Sequence, residues 1–161
     1  MSKITPCLWF NGEAEEAANF YVSLLPGSHI DRVQKNVVDG PSGKAGAALM
    51  VEFTLAGQRF LALNGGMPQE HTHAVSFSVD CADQAEVDRL WDGLCAGGSP
   101  VQCGWLKDRY GVSWQIVPSA LPKLLGDPDP AKARRVMQAM LKMIKLDIAG
   151  LQAAYDGAPG G

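Results

Sequence analysis

The chain opens on a short, mostly apolar run, ITPCLWF, of strand character, and then changes period. In NGEAEEAANFYVSLLPGS the apolar residues Ala14, Ala17, Ala18, Tyr21, Leu24 and Leu25 recur at spacings of three and four, the signature of one helix face. The pattern predicts a helix from about Glu13 to Leu25, stopped by Pro26-Gly27. The same change of period recurs further on. HAVSFSVD reads as a strand, and CADQAEVDRLWDGLCAGGS as a helix with Asp83 and Glu86 as its capping box. Its stripe is Val87, Leu90, Trp91, Leu94 and Cys95, and Gly97-Gly98 is its stop.

Laid on one another at an offset of 70 residues, the two halves set Glu16 on Glu86, Phe20 on Leu90, Tyr21 on Trp91, Leu24 on Leu94 and Gly27 on Gly97 without a gap. Further strand-like runs follow each helix: 29–37, 47–55 and 59–64 in the first half, 101–105 and 112–117 in the second. Ala56-Gly57 and Asn64-Gly65-Gly66 punctuate them as hairpin signals. The expectation is an α+β fold of two paired βαβββ modules, 1–70 and a shorter 71–118, followed by a C-terminal helical extension over 119–161, all within one structural domain.

Two segments interrupt this scheme. Asp39-Gly40-Pro41-Ser42-Gly43-Lys44 reads as a flexible polar loop, and Val38 and Ala45 stand where a phosphate-binding loop needs Gly and Ser or Thr. After Pro118, Ser119 to Gly126 reads as a short helical turn, and Asp129-Pro130 as an N-cap followed by Pro at the first helical position. A helix is then predicted toward Tyr155, kinked near Gly150. Val136, Met137, Met140, Leu141, Ile144 and Ile148 form its stripe, packed on its own domain or on a partner subunit.

Composition narrows the function classes. With 161 residues and 47% hydrophobic, the chain buries about 70% of its unfolded surface and needs no disulfide or metal staple to fold. The formal net charge of −3 and the lack of a basic tail leave no electrostatic footprint for nucleic acid or an anionic membrane. No apolar run approaches the roughly 18 residues of a membrane span, and the start has no signal-peptide character, so the cytoplasm is the expected compartment. Cys7, Cys81, Cys95 and Cys103 match neither a zinc motif nor a disulfide framework and read as reduced thiols.

The run from Cys103 to Pro118, CGWLKDRYGVSWQIVP, together with TPCLWFNGEAEEAANFY, resembles the PhnB-like branch of the vicinal oxygen chelate superfamily. That superfamily also holds glyoxalase I, extradiol dioxygenases and bleomycin resistance proteins. The resemblance extends over nearly the whole chain, including AKARRVMQAMLKMIKLDIAGL, and implies paired βαβββ modules and a homodimer. The branch often carries the label demethylubiquinone methyltransferase. A methyltransferase using S-adenosylmethionine usually offers a glycine-rich turn between strand and helix within alternating βα units, whereas the glycines here fall in hairpin turns and helix stops.

In the metal-dependent members of the superfamily, His and Glu from the first and last strands of each module hold a divalent cation that polarises substrate oxygens. Mapped onto this chain, those positions carry Pro6, a residue within Leu61 to Asn64 of which only Asn64 is polar, Ser76 (with Ala74 the alternative if the alignment slips by two), and Gln115. Cys7 neighbours the first position on the opposite face. His73 is the tempting substitute, but strand alternation groups it with Val75, Phe77 and Val79, the apolar and helix-facing set. His71 and His29 fall on no mapped position. The expectation is therefore a site with no metal and no cofactor, with a metal-dependent lyase, isomerase or dioxygenase as the alternative.

What remains is a concave pocket for a small organic molecule, with Trp9, Asn64, Ser76, Cys103, Trp105, Tyr110, Ser113 and Gln115 as candidate lining residues. Alternation places Ser113, Gln115 and Val117 on one strand face, and the mapping of Gln115 makes that face the concave one. Tyr110 is a candidate lid and Asp108 a structural turn residue. A thiolate at Cys103 would need Lys107 nearby, four residues along a straight strand. Glu52, between Val51 and Phe53, is the other candidate titratable group. Such a pocket serves either a binding protein or an enzyme working through positioned polar groups.

Overall fold

The computed structural model describes residues 2–157, which divide into two compact units, Met1–Glu70 and His71–Gly161. Unit 1 runs β1 (Cys7–Phe10), α1 (Ala14–Leu24), β2 (His29–Lys35), β3 (Ala48–Leu55) and β4 (Gln58–Asn64). Its four-stranded sheet has the order β1-β4-β3-β2, with β1 parallel to β4 and the other pairs antiparallel. The register puts Leu8, Phe10, Val51, Phe53, Phe60 and Ala62 on one face, all buried. Against them α1 turns Ala14, Ala17, Ala18 and Tyr21, each fully buried; the small alanines bring the helix close, and the Tyr21 ring stacks at 6.4 Å on Phe53.

Unit 2 repeats this plan with β5 (Ser76–Cys81), α2 (Gln84–Cys95), β6 (Ser99–Pro100), β7 (Trp105–Lys107) and β8 (Ser113–Pro118). The strand order is β5-β8-β7-β6, with β5 parallel to β8. Asp83 caps α2 by accepting from the Glu86 N–H at 2.9 Å. The buried stripe of Val87, Leu90, Trp91 and Leu94 faces the side of the sheet that holds Leu106, Trp114 and Ile116. The two βαβββ modules and the α+β class expected from the sequence are thus the observed architecture.

The extension belongs to unit 2 and forms α3 (Ala120–Leu125), α4 (Pro130–Met140) and α5 (Ile148–Asp156). Leu121, Val136, Leu146 and Leu151 make its own buried cluster, onto which Val117, Met140 and Tyr155 pack. Where one helix kinked near Gly150 was expected, the chain breaks over residues 141–147. The Met143 and Ile144 carbonyls accept from the N–H groups of Cys103 and Gly104 at 2.9 and 2.7 Å, and Asp147 caps a new helix through the Gly150 N–H. These tertiary bonds take carbonyls that a continuous helix would have used itself.

Two further expectations change. The strand expected at 101–105 is a turn, because Cys103 and Gly104 both hold positive φ, 58° and 83°. A Cβ on Gly104 would stand 2.8 Å from Leu146 Cδ1, so the close approach as well as the φ asks for glycine. Strand β2 stops at Lys35, leaving Val37 and Val38 exposed. Of the two hairpin signals, Ala56-Gly57 joins β3 to β4 with both residues at positive φ, as a type I′ turn requires, whereas Asn64-Gly65 ends the sheet. Among the described residues no helix is long and apolar enough to cross a membrane.

Candidate functional site: the open face of the unit 2 sheet

A buried carboxylate shapes the β7–β8 hairpin. Asp108, 3% exposed, accepts from the Tyr110 and Val112 N–H groups through Oδ1 (2.8 and 3.0 Å) and from the Trp114 indole through Oδ2 at 2.9 Å. This turn holds Lys107 opposite Ser113 and Trp105 opposite Gln115, while the parallel pairing of β5 sets Ser76 beside Ser113 and Ser78 beside Gln115. Side chains alternate along each strand, so Ser76, Ser78, Trp105, Lys107, Ser113 and Gln115 share the face turned away from α2.

The polar groups on this face are wired to one another. Gln115 Nε2 donates to Ser76 Oγ at 2.9 Å, leaving the Gln115 carbonyl oxygen as an acceptor. Ser113, 1% exposed, lies 2.7 Å from His73 Nδ1, and the His73 ring meets Trp105 edge-on at 5.7 Å. His73 Nε2 takes the role complementary to Nδ1: donor when Ser113 donates to Nδ1, acceptor when Ser113 accepts. Lys107 carries no ion pair among the described residues.

The expected pocket residues separate into groups. Ser76, Trp105, Ser113 and Gln115 come together on this face. Trp9 belongs to unit 1, where its indole donates to the Met67 carbonyl at 2.8 Å and lies against Gly65, whose Cβ, were there one, would be 1.9 Å from the ring. Asn64 is turned inward: Oδ1 accepts from the Gly12 and Ala14 N–H groups and Nδ2 donates to the Ala48 carbonyl, each at 3.0 Å. It holds the first turn of α1 and does not reach the open face. Cys103 sits in the positive-φ turn docked on the extension. Tyr110 is half-buried in the hairpin turn, and Glu52 lies opposite Arg32 in the unit 1 sheet.

His73 and Lys107 were not among the expected pocket residues. Alternation had sent His73 to the helix side, but β5 begins only at Ser76, and residues 73–75 form a turn in which Val75 is 68% exposed. Alternation has no meaning before a strand starts. Thr72, whose Oγ accepts from the Ala74 N–H, was the turn signal that marks this boundary.

The donor set does not fit a divalent cation. The superfamily positions offer a proline, a serine and two neutral amides, of which Asn64 is spent on α1 and Gln115 has only an uncharged carbonyl oxygen to give. Among the described residues no three His, Cys, Asp or Glu side chains gather to hold an ion. A cation's desolvation needs the charge of carboxylates or the basicity of several imidazoles.

Paired βαβββ modules, each with a helix on one sheet face, define an α+β protein of the glyoxalase/bleomycin resistance type. The family described as 3-demethylubiquinone-9 3-methyltransferase matches residues 2–117, and the chain belongs to that PhnB-like family. The PhnB protein of Bacillus cereus is 36% identical over 73% of this chain and 100% of its own, with a TM-score of 0.67. Protein PA1353 from Pseudomonas aeruginosa shares the fold at 24% identity, covering 73% of this chain and 98% of that one, with a TM-score of 0.60. No curated protein matches the chain. The family match ends before the C-terminal helices, which the resemblance in sequence was expected to include.

Proposed function

We propose that this protein binds a small organic molecule on the open face of the unit 2 sheet, through imidazole, hydroxyl and amide groups rather than through a divalent cation. The observation that carries the reading is the convergence of His73, Ser76, Ser113 and Gln115, from one turn and two parallel strands, beside the Trp105 indole. A few fixed polar groups next to an aromatic plane are what small-ligand sites use to orient a largely apolar molecule. Lys107 on the same face favours a ligand carrying a carboxylate or another anionic oxygen. His73 is a titratable group held by a neighbour, the element that general acid–base chemistry needs within hydrogen-bond reach of a substrate.

Methyl transfer, which the family description names, has less to support it. The glycines here stand at helix stops such as Gly27 and Gly97 and in turns such as Gly57, and both sheets are mixed rather than doubly wound.

Thermal-shift and tryptophan-fluorescence titrations test this reading, with aromatic and aliphatic carboxylates as the organic panel. S-adenosylmethionine and salts of zinc, nickel, manganese and iron(II) serve as separate probes. The expected result is saturable binding of a carboxylate, weakened roughly tenfold by Gln115→Ala and by His73→Ala, the size of one lost charge-assisted or neutral hydrogen bond. Silence of the whole organic panel, binding untouched by either substitution, or a response to a metal salt or S-adenosylmethionine alone overturns it.

A further inference from the structure

Trp105 opens β7, and the residues that lead into it have no strand beside them. β6 is two residues long and pairs with Leu106 and Lys107, so the N–H groups of Cys103 and Gly104 lie beyond its reach. Segment 143–148 of the extension, outside the part of the chain that matches the family, supplies their acceptors, the Met143 and Ile144 carbonyls at 2.9 and 2.7 Å. Gly104 is buried, and its own carbonyl accepts from the N–H of Ile116, the neighbour of Gln115. A buried N–H that loses its acceptor does not stay in place. The turn is also held in a conformation it would not choose. Cys103 carries a side chain at a φ of 58°, which persists only where the surroundings over-determine it. Trp105 follows two residues later, its N–H bonded to the Gln102 carbonyl within the same turn. Release of segment 143–148 therefore lets the turn relax, and with it the indole that lies edge-on to His73.

This segment acts as a strap, and it is fastened to α2 on the helix side of the sheet. Gln84 closes on its backbone with both ends of one amide: Nε2 donates to the Leu146 carbonyl at 3.1 Å, and Oε1 accepts from the Ile148 N–H at 2.8 Å. The same Nε2 donates to Asp88, whose carboxylate pairs with Lys145 at 2.8 Å. A side-chain amide matched to two backbone groups of one segment fixes where that segment sits. Leu146, fully buried, stands against the turn, since a Cβ on Gly104 would be 2.8 Å from its Cδ1. We infer that Gln84 is a positioning residue of the ligand site: through the strap it holds the 102–104 turn and so sets the Trp105 wall of the open face. It does this from α2, which that face is turned away from, so it touches no ligand bound there. Its effect on binding rests on the ligand site proposed above; its hold on the turn does not.

Amide hydrogen exchange and the indole N–H resonances of the isotope-labelled protein test this. Gln84→Ala is expected to speed exchange at Cys103 and Gly104 about tenfold, the size of one lost hydrogen bond, and to move the Trp105 indole resonance. The amides of β5 and the Trp9 indole are expected to stay as in wild type. Ile148→Pro removes the N–H that Gln84 Oε1 accepts, at a first helical position where proline is tolerated. It is expected to show the same two changes, and it decides alone if Gln84→Ala does not fold. Titration with benzoate, as the simplest aromatic carboxylate, is expected to give a Kd raised about threefold or more in either variant. Exchange that speeds throughout unit 2, a Trp105 resonance that does not move, or a benzoate affinity equal to wild type beside a moved Trp105 overturns the inference. If benzoate and every other carboxylate tried leave the wild type silent, the ligand site falls, and exchange and the Trp105 resonance still decide whether Gln84 holds the turn.

Discussion

The two modules share a strand order and a helix position, yet their last strands turn their amides, Asn64 and Gln115, to opposite faces. In unit 1 the last strand turns its C-terminal amide, Asn64, inward to hold α1, and sets Leu61 and Leu63 on the other face beside Trp9, Met50 and Glu52 of the neighbouring strands. In unit 2 the last strand turns Ser113 and Gln115 outward and meets α2 with Trp114 and Ile116. The first arrangement stabilises a helix start; the second leaves the Gln115 amide and the Ser113–His73 pair on the open face. Topology alone therefore does not make a site, and the decision lies in which alternate residues of β4 and β8 are polar.

The sharpest break of this comparison is a pair of substitutions. Asn64→Ala removes three hydrogen bonds and strands the buried Ala14 N–H, and is expected to cost about 2–4 kcal/mol. Gln115→Ala, on the open face, is expected to cost less than about 1 kcal/mol. Urea denaturation of both variants reads the difference, and equal costs would erase the distinction between the two strands. Next in size is Gly65→Ala. The new Cβ would fall 1.9 Å from the Trp9 ring and must push the indole out, an expected loss of about 1–3 kcal/mol with a shift in tryptophan emission. An unchanged spectrum would show that Trp9 is not held there.

The smallest effects are those of pH on the extension, which only unit 2 carries. The Lys145 ammonium and the Gln84 amide hold Asp88 below the ordinary carboxylate range, and the Tyr155 hydroxyl, donating at 2.6 Å, does the same for Asp127. A carboxylate whose folded pKa is lowered contributes stability above its unfolded value and loses it as pH falls through the lowered one. Lys145 and Tyr155 are raised by the same contacts, so their contributions hold below their ordinary values and disappear as pH climbs through the raised ones. Helical circular dichroism of the extension should stay flat between these limits and decline modestly beyond each, since all four groups face solvent. Lys145→Met should remove most of the acid-side decline attributable to Asp88; an unchanged profile would assign that decline to other groups.

Much of this fold was legible in the residues. The stripe of Ala14, Ala17, Ala18 and Tyr21 combines helical period with burial, and Asp83 and Asp129 cap their helices by accepting from the Glu86 and Ala131 N–H groups. The failures arise where tertiary bonds outweigh local pattern. The carbonyls of Met143 and Ile144 break the last helix because the Cys103 and Gly104 N–H groups bond them from far away in sequence. The site was read in part for a related reason: the faces of Ser113 and Gln115 follow from alternation within β8, whereas His73 precedes its strand and is placed by a hydrogen bond across 40 residues. Asn64 looked like a pocket residue by type and position, and only the α1 N–H groups it satisfies disclose its role.

The most direct test of the central claim is an amide chemical-shift map of the isotope-labelled protein, taken during titration with whichever carboxylate binds in the thermal-shift panel. The account predicts the largest perturbations at Ser76, Trp105, Ser113 and Gln115, together with the His73 imidazole, and little change at Asn64 or around α1. Perturbations centred on Trp9 and β4, with the unit 2 sheet silent, would contradict it.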